Sequence, residues 1–262
     1  MLEVIDKGRC TDSHQTPLLF VHGAWHGAWC WDEHFLDFFA DKGYRVLALS
    51  LRGHAGSPTS KPLQACSIAD YVDDVCSVSD SLPASPVVIG HSMGGFVVQK
   101  YLEARDAPAA VLVAPAPARG VLGIALRMMR RHPWLIAKAI LTRNPLCLVN
   151  TPALARETLF CAHTPDSLVA HVTARFQQES TRALCLDMTL LNLPRPKSVR
   201  SPLLILAAEA DGWINAKEIR ATAHAYRAEA EFFADTGHDM MLELEWAAVA
   251  ERIHTWLGTR GF

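Results

Sequence analysis

Short apolar runs alternate along this chain with longer stretches whose apolar residues recur at helical spacing. Leu18 to Val21 reads as a first buried strand and Arg45 to Ser50 as a second. Between them Trp31, Phe35, Phe38 and Phe39 recur as on one helix face, which makes a βαβ unit. A helix is predicted from Ser67, whose hydroxyl can cap the chain while Asp70 sits three residues on. Ile68, Val72, Val75 and Leu82 form its inward stripe, and it stops before Pro83. Strands follow at Val87 to Ile89 and Ala109 to Ala114, then at Pro202 to Ala208 and Ala230 to Phe233. Helices are predicted over Ile214 to Tyr226 and Leu242 to Leu257, the last turning Leu244, Val249, Ile253 and Trp256 inward. This order builds an α/β fold, a mostly parallel central sheet flanked by helices.

From Pro115 to Pro196 the rhythm breaks. Strand patterns vanish, and prolines at 115, 117, 133, 145, 152, 165, 194 and 196 interrupt helix-like segments. Residues 115–196 are therefore expected to be a helical cap inserted into a core made of 1–114 and 197–262. An insertion after a strand's carboxyl end lies over the crevice where such sheets bind ligands. Its first half is basic, with Arg119, Arg127, Arg130, Arg131, Lys138, Arg143 and Arg156 and no acidic residue from Ala107 to Arg156. Two readings compete: a solvated face whose apolar partners Leu126, Met129, Trp134 and Ile136 point into the core, or a surface that meets anionic lipid or substrate. The first is the expectation.

Composition narrows the function classes. The chain has 262 residues, half of them hydrophobic, and a net charge of −2, so it lacks the electrostatic footprint of a nucleic-acid binder. Its seven cysteines are odd in number and form no CxxC pair, which suggests neither a disulfide framework nor a zinc ribbon. Neither a signal-peptide layout nor a bilayer-length apolar run is present, so a soluble, cytoplasmic protein is expected. Oligomeric state has no signature.

The chemistry begins at Gly90 His91 Ser92 Met93 Gly94, placed where an apolar strand passes straight into a helix. Such a bend strains the backbone and tolerates only small flanking residues. Glycines two before and two after the serine supply them, and Ser92 becomes the nucleophile of an elbow. A serine hydroxyl needs a base, and the base needs an orienting group. His238, in the turn between the last strand and the last helix, is the base expected. Asp211, in the loop after the strand ending at Ala207, is the acid expected, with Glu209 and Asp235 as competitors.

The order serine, acid, histidine, together with Val21 His22 Gly23 Ala24 Trp25 His26 Gly27 Ala28 Trp29, Arg52 Gly53 His54 Ala55 Gly56 Ser57 and Gly237 His238, resembles the capped α/β-hydrolase superfamily. The repeated HGAW is particularly similar to its esterase and hydroxynitrile lyase branch. The resemblance implies an oxyanion hole from the backbone N–H groups of Ala24 and Met93. It also places Gly23 and Asp239 where the lyases carry threonine and lysine, departures that favour an esterase, and Ala55 where a glycine is usual.

The expected function is cleavage of a small to medium apolar carboxylic ester through an acyl-enzyme, without a cofactor. A lyase or carbon–carbon bond hydrolase with the same triad, an acyltransferase and a non-catalytic ligand receptor are the alternatives. His22 and His26 have metal-ligand spacing for a helix, but Gly23 and Gly27 make a helix implausible there and no metal is expected. Trp25, Met128, Met129, Trp134 and Trp213 are candidate walls of an apolar substrate pocket.

Overall fold

A computed structural model describes all of residues 1–262. Seven strands, β1 (Val4–Lys7), β2 (Leu18–Val21), β3 (Val46–Leu49), β4 (Val87–His91), β5 (Ala110–Val113), β6 (Leu203–Ala208) and β7 (Ala230–Phe233), form one sheet in the order β1-β3-β2-β4-β5-β6-β7. Every pairing is parallel except β1 with β3. β2 to β5 are buried at every position, and apart from Gly90 and His91 at the end of β4 they are apolar runs, as strands must be when helices cover both faces. The antiparallel edge strand β1 has no counterpart in the sequence expectation. Its two apolar residues, Val4 and Ile5, are followed by charged Asp6 and Lys7, and it is only partly covered.

The aromatic run after β2 forms two short helices, α1 (Trp29–Asp32) and α2 (Phe35–Asp41), where one stretch of helical spacing was expected. Phe20, Trp31, Phe35 and Phe39 pack with ring centroids 5.0–6.3 Å apart beneath the sheet. Helix α3 (Ile68–Asp80) carries the anticipated capping box: Ser67 Oγ accepts the Asp70 N–H, and the Asp70 carboxylate accepts the Ser67 N–H. Helix α4 (Ser92–Ala104) starts directly at the end of β4.

Between β5 and β6 the chain forms helices joined by loops and no strand: α5 (Leu122–Arg131), α6 (Pro133–Thr142), α7 (Pro152–Leu159), α8 (Asp166–Thr173) and a π-helical segment, Arg182–Leu191. The expected inward stripe does not hold here. Ile124 and Met128 are buried, but Leu126 and Trp134 face outward, Trp134 with 87 % of its surface exposed. The segment after β6 returns to α/β order with α9 (Ala216–Tyr226) and α10 (Trp246–Gly258). Because α10 starts only at Trp246, Leu244 lies in the preceding loop and is exposed, against the expectation.

Candidate active site

The β4–α4 junction is where the sequence places its small residues, and the geometry shows why. Ser92 has φ +51°, the left-handed region that a serine enters only when the surroundings compel it, at about 1–3 kcal/mol. A Cβ on Gly90 would stand 2.5 Å from the Gly94 carbonyl oxygen, and one on Gly94 would collide with that of His22. Neither neighbour is a flexible side chain that could yield. Both glycines are therefore demanded by close backbone approach, and the bend lifts Ser92 to the carboxyl edge of the sheet.

His238, in the loop after β7, brings Nε2 to 2.8 Å from Ser92 Oγ, and its Nδ1 lies 2.7 Å from Asp211 Oδ2. Asp211 follows β6. Its other oxygen accepts the N–H groups of Trp213 and Ile214, both at 2.8 Å, which fixes the carboxylate toward the imidazole. The competitors Glu209 and Asp235 are both exposed and make no hydrogen bond to His238. Burial pulls the His238 pKa down, but the charge and hydrogen bond of Asp211 and the charge of Asp239 outweigh it and leave it raised.

A second layer of buried polar groups holds this loop. Glu243 accepts hydrogen bonds from the N–H of Gly237 at 2.9 Å, the N–H of Cys161 at 2.5 Å and the Thr164 hydroxyl at 2.5 Å. Asp239 lies 3.2 Å from His26 Nε2. Burial would raise its pKa, yet His26, His91 and His238 together hold it below the ordinary value. His91 donates to the carbonyl of His238 at 3.0 Å, and burial pushes its pKa down to about 3, so it stays neutral.

The remaining histidines of the motifs have structural partners. His22 accepts the Leu51 N–H on Nε2 at 3.0 Å, so its Nδ1 carries the proton and donates to the Gly23 carbonyl at 2.8 Å. His54 donates to Glu179 at 3.0 Å and to the Arg52 carbonyl at 3.2 Å. Burial opposes its charge, but Glu179 prevails and its pKa is raised. Glu179, which sequence reasoning missed, also accepts from Tyr71 at 2.7 Å; it lies 125 residues from His54, and no local pattern announces it. His91, His238 and Asp239 each offer a ligand atom within 4.8 Å of one another, but both nitrogens of His238 are already engaged by Ser92 and Asp211.

Ser92 and His238 open into a cavity of about 310 Å³ whose wall is overwhelmingly apolar. Ala24 and Met93 line it beside the serine, and the Ala24 N–H donates to no acceptor in the protein. Of the candidate walls, Trp25, Met128, Met129 and Trp213 line the cavity, with Trp25 stacked on Trp213 at 5.7 Å; Trp134 does not, because it points to solvent. Val121, Ile124 and Met188 also line it without having been singled out in the sequence, and Ile136, expected in the core, is a wall residue too. Ala55, standing where a glycine is usual, takes φ +45° and keeps the left-handed turn.

Residues 18–252 match the alpha/beta hydrolase family. Among curated proteins, the chain is 32 % identical over 114 residues to Methylesterase 10 of Arabidopsis thaliana, covering 36 % of this chain and 41 % of that one. It is 39 % identical over 106 residues to a non-heme chloroperoxidase of Streptomyces lividans, covering 38 % and 37 %. The matches thus span about two fifths of those relatives' lengths. Among solved structures, a putative non-heme bromoperoxidase, BpoC, of Mycobacterium tuberculosis H37Rv superimposes with a TM-score of 0.77 at 19 % identity, over 99 % of this chain and 96 % of that one. That likeness speaks for the fold. No helix is long and apolar enough to cross a membrane.

Proposed function

The chain belongs to the alpha/beta hydrolase family, and from that premise we propose that it hydrolyses small to medium apolar carboxylic esters through an acyl-enzyme. The observation that carries the reading is the placement of His238 between Ser92 at 2.8 Å and Asp211 at 2.7 Å, at the floor of an apolar cavity. Esterase names among the relatives agree with it.

Ser92 Oγ attacks the ester carbonyl carbon while His238 Nε2 takes its proton. The carbonyl oxygen becomes an oxyanion that accepts the backbone N–H groups of Ala24 and Met93. One such donor is worth about 10² to 10³ in rate where water is excluded. The imidazolium formed is stabilised by Asp211, then returns its proton to the alkoxide as the C–O bond breaks. Water, deprotonated by the same imidazole, attacks the acyl-enzyme and releases the acid. Every proton is handled by His238, so the cycle closes without a cofactor. The helices between β5 and β6 act as the cap, supplying Ile124, Met128 and Met188 to the apolar wall. At about 310 Å³ the cavity stands at the lower end of ordinary ligand sites, which favours small acyl and alcohol groups.

The decisive experiment is a chain-length series of p-nitrophenyl esters with Ser92→Ala as control. A burst of p-nitrophenol followed by steady turnover, preference for short to medium chains and loss of both phases in Ser92→Ala are expected. Full activity in Ser92→Ala would exclude the mechanism.

A further inference from the structure

Helices α5 and α6 turn apolar side chains away from the protein. On α5 the exposed Leu122, Leu126 and Met129 recur at i, i+4 and i+7; on α6 Trp134, Lys138 and Leu141 repeat that spacing. Trp134 is 87 % and Leu141 84 % exposed. A single exposed leucine needs no account, but an indole and several aliphatic side chains on two neighbouring helices mark a surface that meets something apolar.

The charge on this surface says what. Arg130 stands four residues after Leu126, Lys138 lies between Trp134 and Leu141, and Arg143 ends α6; all three are exposed and none has a carboxylate within 4 Å, whereas Arg127 and Arg131 are paired with Glu218 and Glu157. A second copy of the chain would oppose these cations to themselves, since a two-fold contact juxtaposes the same patch. An anionic bilayer satisfies both components. Tryptophan favours the boundary between water and acyl chains, leucines enter below it, and the lysine and arginine stems reach back to the headgroup phosphates.

The pocket shares this surface. Met129 and Ile140, exposed on α5 and α6, also line the cavity above Ser92. We propose that the outer face of α5 and α6 docks the protein on an anionic phospholipid bilayer, with the rim of the cavity set against the lipid. A consequence resting on the ester-hydrolase reading is that an apolar ester dissolved in the bilayer enters the cavity without crossing water; the docking itself does not depend on that reading.

The test is flotation of full-length Ser92→Ala protein with phosphatidylglycerol–phosphatidylcholine vesicles and with phosphatidylcholine vesicles, at low and high salt. Binding to the anionic vesicles at low salt, weakened by salt, is expected. Trp134→Ala with Leu141→Ala, and separately Arg130→Glu with Lys138→Glu, should each reduce the partition coefficient by roughly tenfold or more. Thermal unfolding at the parent's temperature shows that these variants are folded. With Ser92 restored, they should turn over a soluble p-nitrophenyl ester at the parent's rate, and that assay alone reports whether the hydrolase reading stands. No binding, equal binding to neutral vesicles, or variants that bind like the parent would overturn the docking. So would a dimer in sedimentation equilibrium that the same substitutions dissociate, since the face would then belong to a second copy.

Discussion

Asp211 presents one carboxylate oxygen to His238 Nδ1 at 2.7 Å while two backbone N–H groups hold the other. The acid thus decides which imidazole nitrogen carries the proton. Asp211→Asn preserves the shape but can donate its amide to Nδ1, which moves the proton to Nε2 and removes the lone pair that Ser92 needs. A fall in kcat of about 10⁴ is expected, with little change in KM or thermal stability. Steady-state kinetics beside a melting curve separate this from unfolding.

The raised pKa of His238 gives a pH dependence of definite sign. Only the neutral imidazole accepts the serine proton, so kcat/KM should rise through a midpoint above the ordinary histidine value of about 6.5. Stability runs the other way: the stabilisation from the protonated His238 is fully present below the unfolded pKa and is lost as pH rises through the higher folded one. The two profiles, activity and urea midpoint against pH, should slope oppositely across that window.

Asp239 contributes to that shift without touching Ser92. Replacing it by asparagine removes a buried negative charge near the imidazole and should move the acid limb of kcat/KM to lower pH. A limb that stays in place while only the melting temperature falls would assign Asp239 to support of the loop alone.

Glu179 ties two distant residues of the chain to its own segment, since His54 and Tyr71 converge on it beside the N–H of the adjacent Ser180. Glu179→Ala removes the carboxylate that raises the His54 pKa, so burial leaves that imidazole neutral and strips its Nε2–H and the Tyr71 hydroxyl of their shared acceptor. Loss of about 3 kcal/mol in urea unfolding is expected, and the loss should shrink in the double variant with His54→Phe, where one orphaned donor fewer remains.

Met128 is buried and projects from α5 into the cavity. Met128→Trp should shorten the longest p-nitrophenyl acyl chain accepted while leaving turnover of the acetate ester within about threefold, because small substrates do not reach that wall.

The cluster of Ser92, Asp211 and His238 was legible because each position is set by local requirements: a serine with glycines two before and two after, following an apolar run, and loops directly after β6 and β7 for Asp211 and His238. The inner strands were legible for the same reason, since burial on both faces leaves an unbroken apolar run. β1 escaped because two apolar residues followed by two charged ones show neither the alternation nor the unbroken apolar run of a strand. The outward face of α5 and α6 escaped because both sides of α5 are apolar: Ile124 and Met128 turn inward while Leu122 and Leu126 do not. Periodicity identifies faces, but which face is covered depends on neighbours far along the chain.

Arg127 reaches from α5 to Glu218 on α9 with two hydrogen bonds and to the carbonyl of Trp213 with a third. Trp213 belongs to the turn whose N–H groups clamp Asp211. The roof of the cavity and the acid that steers the imidazole are thus bolted to one guanidinium: α5 can tilt outward to admit a bulky guest only by letting go of that turn or by dragging it along. Any displacement of α5 therefore loads the same turn that holds the Asp211 carboxylate, so the shape of the cavity roof and the aim of that carboxylate are linked through a single side chain.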